Sequence, residues 1–244
     1  MADAYHAIGD HRQELEEVRR GQSQQTNPRF ITAQEKRALA ALGWTEELNV
    51  RAQQKSSDST SAPAMVNLAV ELRAHGYGVA ATEMLNRAIE WLQYRSPEQK
   101  ARPSERWTTA DVFLAVGRLD EAQVLLEGLL EDGGPQYRTG WLAQLGIVAA
   151  RRGDREEASR ISRILEDADR RLSAGVLGRA QIAVALGERE RAMELLRQLR
   201  FDGEITEGLS NRGRVSGLWI LHKDPLLEPL WDYPPFKELL RTTQ

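Results

Sequence analysis

The sequence predicts an all-α protein, a right-handed α-solenoid of about six helical hairpins finished by a proline-rich C-terminal cap. Three observations carry that expectation. Six glycines, Gly9, Gly43, Gly76, Gly117, Gly153 and Gly187, recur at a period near 34 residues with one insertion of about seven. Small residues keep fixed places around them: Ala81, Ala122, Ala158 and Ala192 follow the glycine, and Ala69, Ala110, Gly146 and Ala180 precede it. Charge changes sign across the turn, as in Arg151-Arg152-Gly153-Asp154-Arg155-Glu156-Glu157. Bases in a last turn and acids in a first turn both suit the helix dipole.

Each element follows from this grammar. Glycine ends a first helix with a positive-φ residue, the next residues open a second helix, and small residues mark where the two axes approach. The pairs fall at 1–8 with 12–20, 32–42 with 45–54, and 64–75 with 79–94. They continue at 104–116 with 119–131, 138–152 with 155–167, and 172–186 with 189–199. Gln53–Pro63 reads as a polar connection, and Ser96–Pro103 absorbs the insertion. The expected division is 1–204 for the repeats and 205–244 for the cap. In the cap, Leu226, Leu230, Trp231, Phe236 and Leu240 are expected to pack on the sixth hairpin, with Pro235 in the first turn of the last helix.

Composition removes several functions. The chain of 244 residues has 33 Lys+Arg against 36 Asp+Glu, a net charge of -3, and no cysteine. No electrostatic footprint for nucleic acid or an anionic membrane surface is present, and thiolate chemistry is excluded. No apolar stretch suits a membrane span, and the opening Met1-Ala2-Asp3-Ala4-Tyr5-His6 lacks the regions of a signal peptide. A cytoplasmic location is the expectation, or an extracytoplasmic one if a span lies upstream.

The string Gly-Asp/Arg-x-Asp/Glu-Glu-Ala, with small residues before the glycine, resembles the tetratricopeptide repeat. Met65-Val66-Asn67-Leu68-Ala69 and Trp141-Leu142-Ala143-Gln144-Leu145-Gly146 are similar to the first-helix signature of that family. Glu14 and Leu48 depart from it, standing where the family prefers alanine. The ending Asp224-Pro225 through Pro229-Leu230 to Phe236-Lys237-Glu238-Leu239-Leu240 resembles the close of such arrays in bacterial multidomain signalling proteins. Those proteins commonly carry a serine/threonine kinase, a cyclase-type domain, a winged-helix regulator or a TolB-like part. The resemblance implies a C-terminal fragment of a longer protein. The repeat phase agrees, since it sets Met1 inside a first helix, and an uncapped N-terminal end is then a candidate surface for self-association.

No catalytic motif is found: a Gly-x-Ser-x-Gly elbow, a phosphate-binding Walker loop, His-Glu-x-x-His and the kinase strings are all missing, so the chain is read as non-enzymatic. Gly76-x-Gly78-x-x-Ala81 reads as a turn rather than a dinucleotide fingerprint, because a helix precedes it. Arg152-Gly153-Asp154 is read as an inter-helix turn with Asp154 as a cap. Glu16-Glu17 and Glu156-Glu157 point about 100° apart on a helix and read as solvated faces. The histidines His6, His11, His75 and His222 include no pair at helical i,i+4 spacing, so neither a metal nor a cofactor is expected.

What remains is a surface for a protein or peptide partner. First helices line the concave side of such arrays. The phase sends Asn67, Arg73, Trp107, Asp111, Gln144, Arg151 and Gln181 there, together with Arg37 and Val66. Asn67 matches the family's groove asparagine, whose amide can clamp a ligand backbone, against the alternative of a local cap. Trp107 is either a groove anchor or inter-repeat packing. The expected function is a protein-interaction scaffold; the alternative is a ligand-sensing module controlling a fused kinase, cyclase or transcription-factor domain.

Overall fold

A computed structural model of the chain describes residues 2–22, 28–53, 61–134, 137–168, 173–199, 221 and 224–241. Every element among them is helical. The order is α1 (Ala2–Ala7), α2 (His11–Gln22), α3 (Pro28–Ala41), α4 (Thr45–Gln53), α5 (Ala62–Ala74) and α6 (Gly78–Gln93). A short α7 (Pro97–Lys100) follows, then α8 (Pro103–Ala115), α9 (Leu119–Asp132), α10 (Arg138–Arg151), α11 (Arg155–Ala168), α12 (Ser173–Ala185) and α13 (Arg189–Gln198). A 3₁₀ helix (Pro225–Leu230) and α14 (Pro234–Arg241) complete the described chain. The 204/205 division, most of the Gln53–Pro63 connection and His222 lie outside the described residues.

The six recurring glycines are the positive-φ residues, with φ between 68° at Gly43 and 86° at Gly76. Each joins two helices through a Schellman motif. At Gly153 the glycine N–H donates to Ala150 O at 3.0 Å and the Asp154 N–H reaches back to Ala149 O at 2.9 Å. The same two bonds recur at Gly187, where Glu188 N–H donates to Ala183 O at 2.8 Å. Carbonyls orphaned at the end of the first helix are thereby satisfied. The following helix is capped in turn where an aspartate is available. Asp10 Oδ1 accepts from Gln13 N at 3.1 Å, and Asp154 Oδ1 accepts from Glu157 N at 3.0 Å.

Starts of first helices differ from the sequence reading for one reason. Three of them open on or beside a proline, at Pro28, Pro63 and Pro103, and begin four, two and one residues before the expected start. The fixed φ of proline suits a first helical turn, where its missing N–H costs nothing.

The chain divides into two compact units, Met1–Ser96 and Pro97–Gln244. In the first, α3 packs on α2, α4 and α5, and α5 on α6. Leu39, Leu48, Leu72, Ala81 and Met84 form its core. In the second, α10 is the hub, packed on α9, α11 and α12. Leu126, Trp141, Ile147, Ile161 and Leu165 make one core cluster there. A second cluster joins Ala180, Met193 and Leu196 to Leu227, Leu230 and Phe236 of the closing segment. Trp231 and Leu240 pack against this second cluster as expected, whereas Leu226 joins the first. The 3₁₀ turn after Asp224 faces successive leucines in different directions, which splits Leu226 from Leu227.

The small residues behave as the spacing requires. Ala69, Ala81, Ala110, Ala122, Ala158, Ala180 and Ala192 are buried. A Cβ on Gly146 would stand 2.4 Å from Ile182 Cδ1, and one on Gly178 would stand 2.6 Å from Ala143 Cβ. The approach of α10 and α12 therefore depends on missing side-chain atoms.

Candidate functional site

Five of the seven candidate groove residues belong to the unit Pro97–Gln244. Trp107 and Asp111 are one turn apart on α8 and so share a face. Gln144 of α10 ties them together: Trp107 Nε1 donates to Gln144 Oε1 at 3.0 Å, and Gln144 Nε2 donates to Asp111 Oδ1. An amide is suited to this place because it accepts on one side and donates on the other. Trp107 also lies edge-on to Trp141, with ring centroids 6.2 Å apart, and against Tyr137 at 5.6 Å. Inter-helix packing thus accounts for much of the Trp107 ring, which remains partly exposed.

Arg151, in the last turn of α10, donates from Nη1 to Leu114 O at 2.7 Å and so closes the end of α8. Gln181 of α12 donates from Nε2 to Asp224 Oδ2 at 2.6 Å. The other oxygen of Asp224 accepts from Leu226 N at 2.9 Å and caps the 3₁₀ helix. Burial pushes the Asp111 carboxyl up to about 7, against the bond from Gln144 and with the help of the Asp224 charge. Asp224 is itself raised, again by burial. Two aspartates that resist ionisation thus flank the amides of Gln144 and Gln181. Such a face gains from a cationic group.

Asn67 and Arg73 lie on α5 in the other unit, both exposed. Two further residues do not line a groove. Val66 is buried in its own unit. Arg37 turns inward: its Nε donates to Glu14 Oε1 at 2.8 Å, its Nη2 donates to the same oxygen, and its side chain is 11% exposed. The reason is the buried carboxylate of Glu14, which holds the guanidinium more strongly than water does.

That carboxylate is the centre of a second cluster which the spacing of histidines does not reveal. His6 Nδ1 lies 2.9 Å and His11 Nδ1 3.2 Å from Glu14 Oε2. On its far side, His6 Nε2 is 3.7 Å from Glu71 Oε1, and His75 Nε2 is 3.2 Å from that same oxygen. The rings of His11 and His75 meet edge-to-face, with centroids 4.7 Å apart. Burial works to raise the carboxyl of Glu14, but bonds from His11 and His6 and the charge of Arg37 hold it well below the usual carboxylate range. Glu71 is lowered too, the bond from His75 and the charges of His6 and Arg37 overcoming burial. Burial pulls His6 below its ordinary value despite both acids.

Three of the chain's four histidines therefore converge from α1, α2 and the turn after α5. A signal did exist in the sequence. Glu14 stands at the repeat position where Ala81, Ala122, Ala158 and Ala192 are buried, and a carboxylate there needs partners.

Among the described residues no helix is long and apolar enough to cross a membrane. No protein-family model matches the chain, and no curated protein matches it significantly.

Proposed function

We propose that the chain is a non-catalytic protein-interaction scaffold whose hairpins stack as a tetratricopeptide-like, right-handed solenoid. Its partner is a peptide or helix bound across α8, α10 and α12. The observation that carries this reading is the bonded run Trp107–Gln144–Asp111, with Gln181–Asp224 beyond it. These polar groups are built into one unit: Trp107, Asp111, Gln181 and Asp224 are partly exposed around a buried Gln144, and bonds from α8 to α10 and from α12 to the closing 3₁₀ helix hold them in place. Preorganised amides beside a carboxyl that resists ionisation suit an extended backbone carrying Lys or Arg. The likeness of the closing segment to signalling proteins supports the further reading that the chain serves as the interaction part of a larger bacterial regulator.

Selection of a random-peptide phage library on the chain, followed by calorimetric titration of the enriched peptides, tests this. Expected are peptides enriched in basic residues that bind in the micromolar range and lose about tenfold on Asp111→Asn or Gln144→Ala, the scale of one charge-assisted bond. Enrichment of nothing, or binding untouched by both substitutions, would overturn it.

A further inference from the structure

Two acids in the unit Met1–Ser96 occupy places that other repeats give to the apolar core. The fifth residue after the turn glycine is Leu48, Ala81, Ala122, Ala158 or Ala192 elsewhere, all buried, and is Glu14 in the first repeat, with 0% exposure. The fifth residue before it is Ala38, Val112, Val148 or Ile182 in the second, fourth, fifth and sixth repeats, all buried, and is Glu71 in the third. An unpaired buried carboxylate is costly, so each needs compensation. Arg37 supplies one positive charge, on Oε1 of Glu14. Two carboxylates thus share one guanidinium and three imidazoles.

His6 makes the imbalance specific. Its two ring nitrogens face two different carboxylates, Nδ1 toward Glu14 and Nε2 toward Glu71. A neutral imidazole has one N–H, so one nitrogen presents a lone pair to an anionic oxygen. With the N–H turned to Glu71, the Nδ1 lone pair of His6 and Oε2 of Glu14 face one another, and His11 Nδ1 approaches the same oxygen. The ligand atoms of His6, His11 and Glu14 all lie within 4.8 Å of one another. A tetrahedral zinc site with bonds of about 2.0–2.1 Å has edges of about 3.3 Å. The two nitrogen–oxygen separations, 2.9 and 3.2 Å, are close to that edge.

We propose that His6, His11 and Glu14 form a binding site for a divalent transition ion of the zinc class, with Arg37 and Glu71 orienting its ligands. Imidazole and carboxylate suit such ions, and calcium or magnesium would demand more oxygen ligands. Glu71, with Oε1 3.7 Å from His6 Nε2, stands on the side where a metal-bound histidine ordinarily finds a carboxylate for its second nitrogen. Arg37 fixes the other oxygen of Glu14 and leaves Oε2 for the ion. Three protein ligands leave a fourth position for water, on the side of His11, which is 10% exposed while Glu14 is closed. A divalent ion adds positive charge beside the two buried carboxylates, and the His75 ring stacks edge-to-face on His11.

The test is made on the full chain, free of any histidine tag and stripped with a chelator, using zinc and cobalt salts alone as probes. Expected is one zinc per chain at micromolar or tighter Kd, a rise in Tm with zinc, and intense visible absorption bands with cobalt that mark a tetrahedral site. His11→Gln removes a ligand yet leaves the Arg37–Glu14 pair, and is expected to weaken zinc binding by more than tenfold with the metal-free Tm little changed. His75→Gln is expected to weaken it by less. Binding only at millimolar zinc, weak octahedral cobalt bands in the wild-type chain, or unchanged affinity in His11→Gln would each overturn the proposal. The cobalt spectrum of the wild-type chain decides the matter even if a variant fails to fold.

Discussion

Asp111, on the proposed binding face, departs far from its ordinary behaviour. Its folded-state pKa of about 7 lies above the ordinary value of 3.8. The folded chain therefore holds this proton more tightly than the unfolded chain does. The associated stability is fully present below the ordinary value and is lost as pH rises through about 7. Asp111→Asn keeps an acceptor for Gln144 and removes the titration. Its stability is expected to exceed that of the wild type by a margin that widens from about pH 4 to about pH 7 and then levels off, on the order of 1 kcal/mol after allowance for partial exposure. Parallel thermal scans measure it. A margin constant with pH would show that Asp111 titrates normally. Gly117 gives a second residue-scale expectation. Its φ is 79° and a Cβ there would meet nothing within 4 Å, so Gly117→Ala isolates backbone strain. Urea unfolding is expected to move to a lower midpoint with an unchanged slope, a loss of about 1–2 kcal/mol.

At the scale of elements, the contact between α10 and α12 sets the spacing of the candidate groove. Gly178→Ala brings two methyl groups to 2.6 Å, and both are fixed directly to helix backbones. Gly146→Ala meets Ile182 Cδ1 at 2.4 Å and Cγ1 at 2.9 Å and Ile161 Cγ2 at 3.2 Å, all side-chain atoms beyond Cβ that can shift by rotamer adjustment. The first is therefore expected to cost more than the second, within about 1–3 kcal/mol for overpacking. Denaturation of the two variants side by side checks the order. Much of this level was legible in the sequence. Turn glycines, buried alanines and the second-helix starts at Thr45, Leu119, Arg155 and Arg189 follow from spacing and local capping, which act within a few residues. First-helix starts were less legible, because Pro28, Pro63 and Pro103 read as loop residues until a helix is seen to begin on them.

For the whole molecule, the limit of sequence reading is set by distance along the chain. Trp107, Asp111 and Gln144 were brought forward by repeat phase alone, and they do bond to one another. The phase carried no account of Asp224, which pairs with Gln181 from more than forty residues away. Nor did it foresee the histidine cluster, whose members come from α1, α2, α3 and the α5 end, and which helical spacing within one element misses. The histidine cluster is marked by a departure from pattern, acids at Glu14 and Glu71 where other repeats place an apolar or small residue. Arg37 shows the consequence, since the phase sent it to the groove and the buried acid drew it inward.

On the proposed function, the first helices of Pro97–Gln244 carry the partner-binding face. Hydrogen–deuterium exchange of the full chain, with and without the tightest peptide selected on it, tests that claim most directly. Slowed exchange is expected to concentrate in α8, α10 and α12. Protection confined to α9, α11 and α13, or to Met1–Ser96, would contradict it.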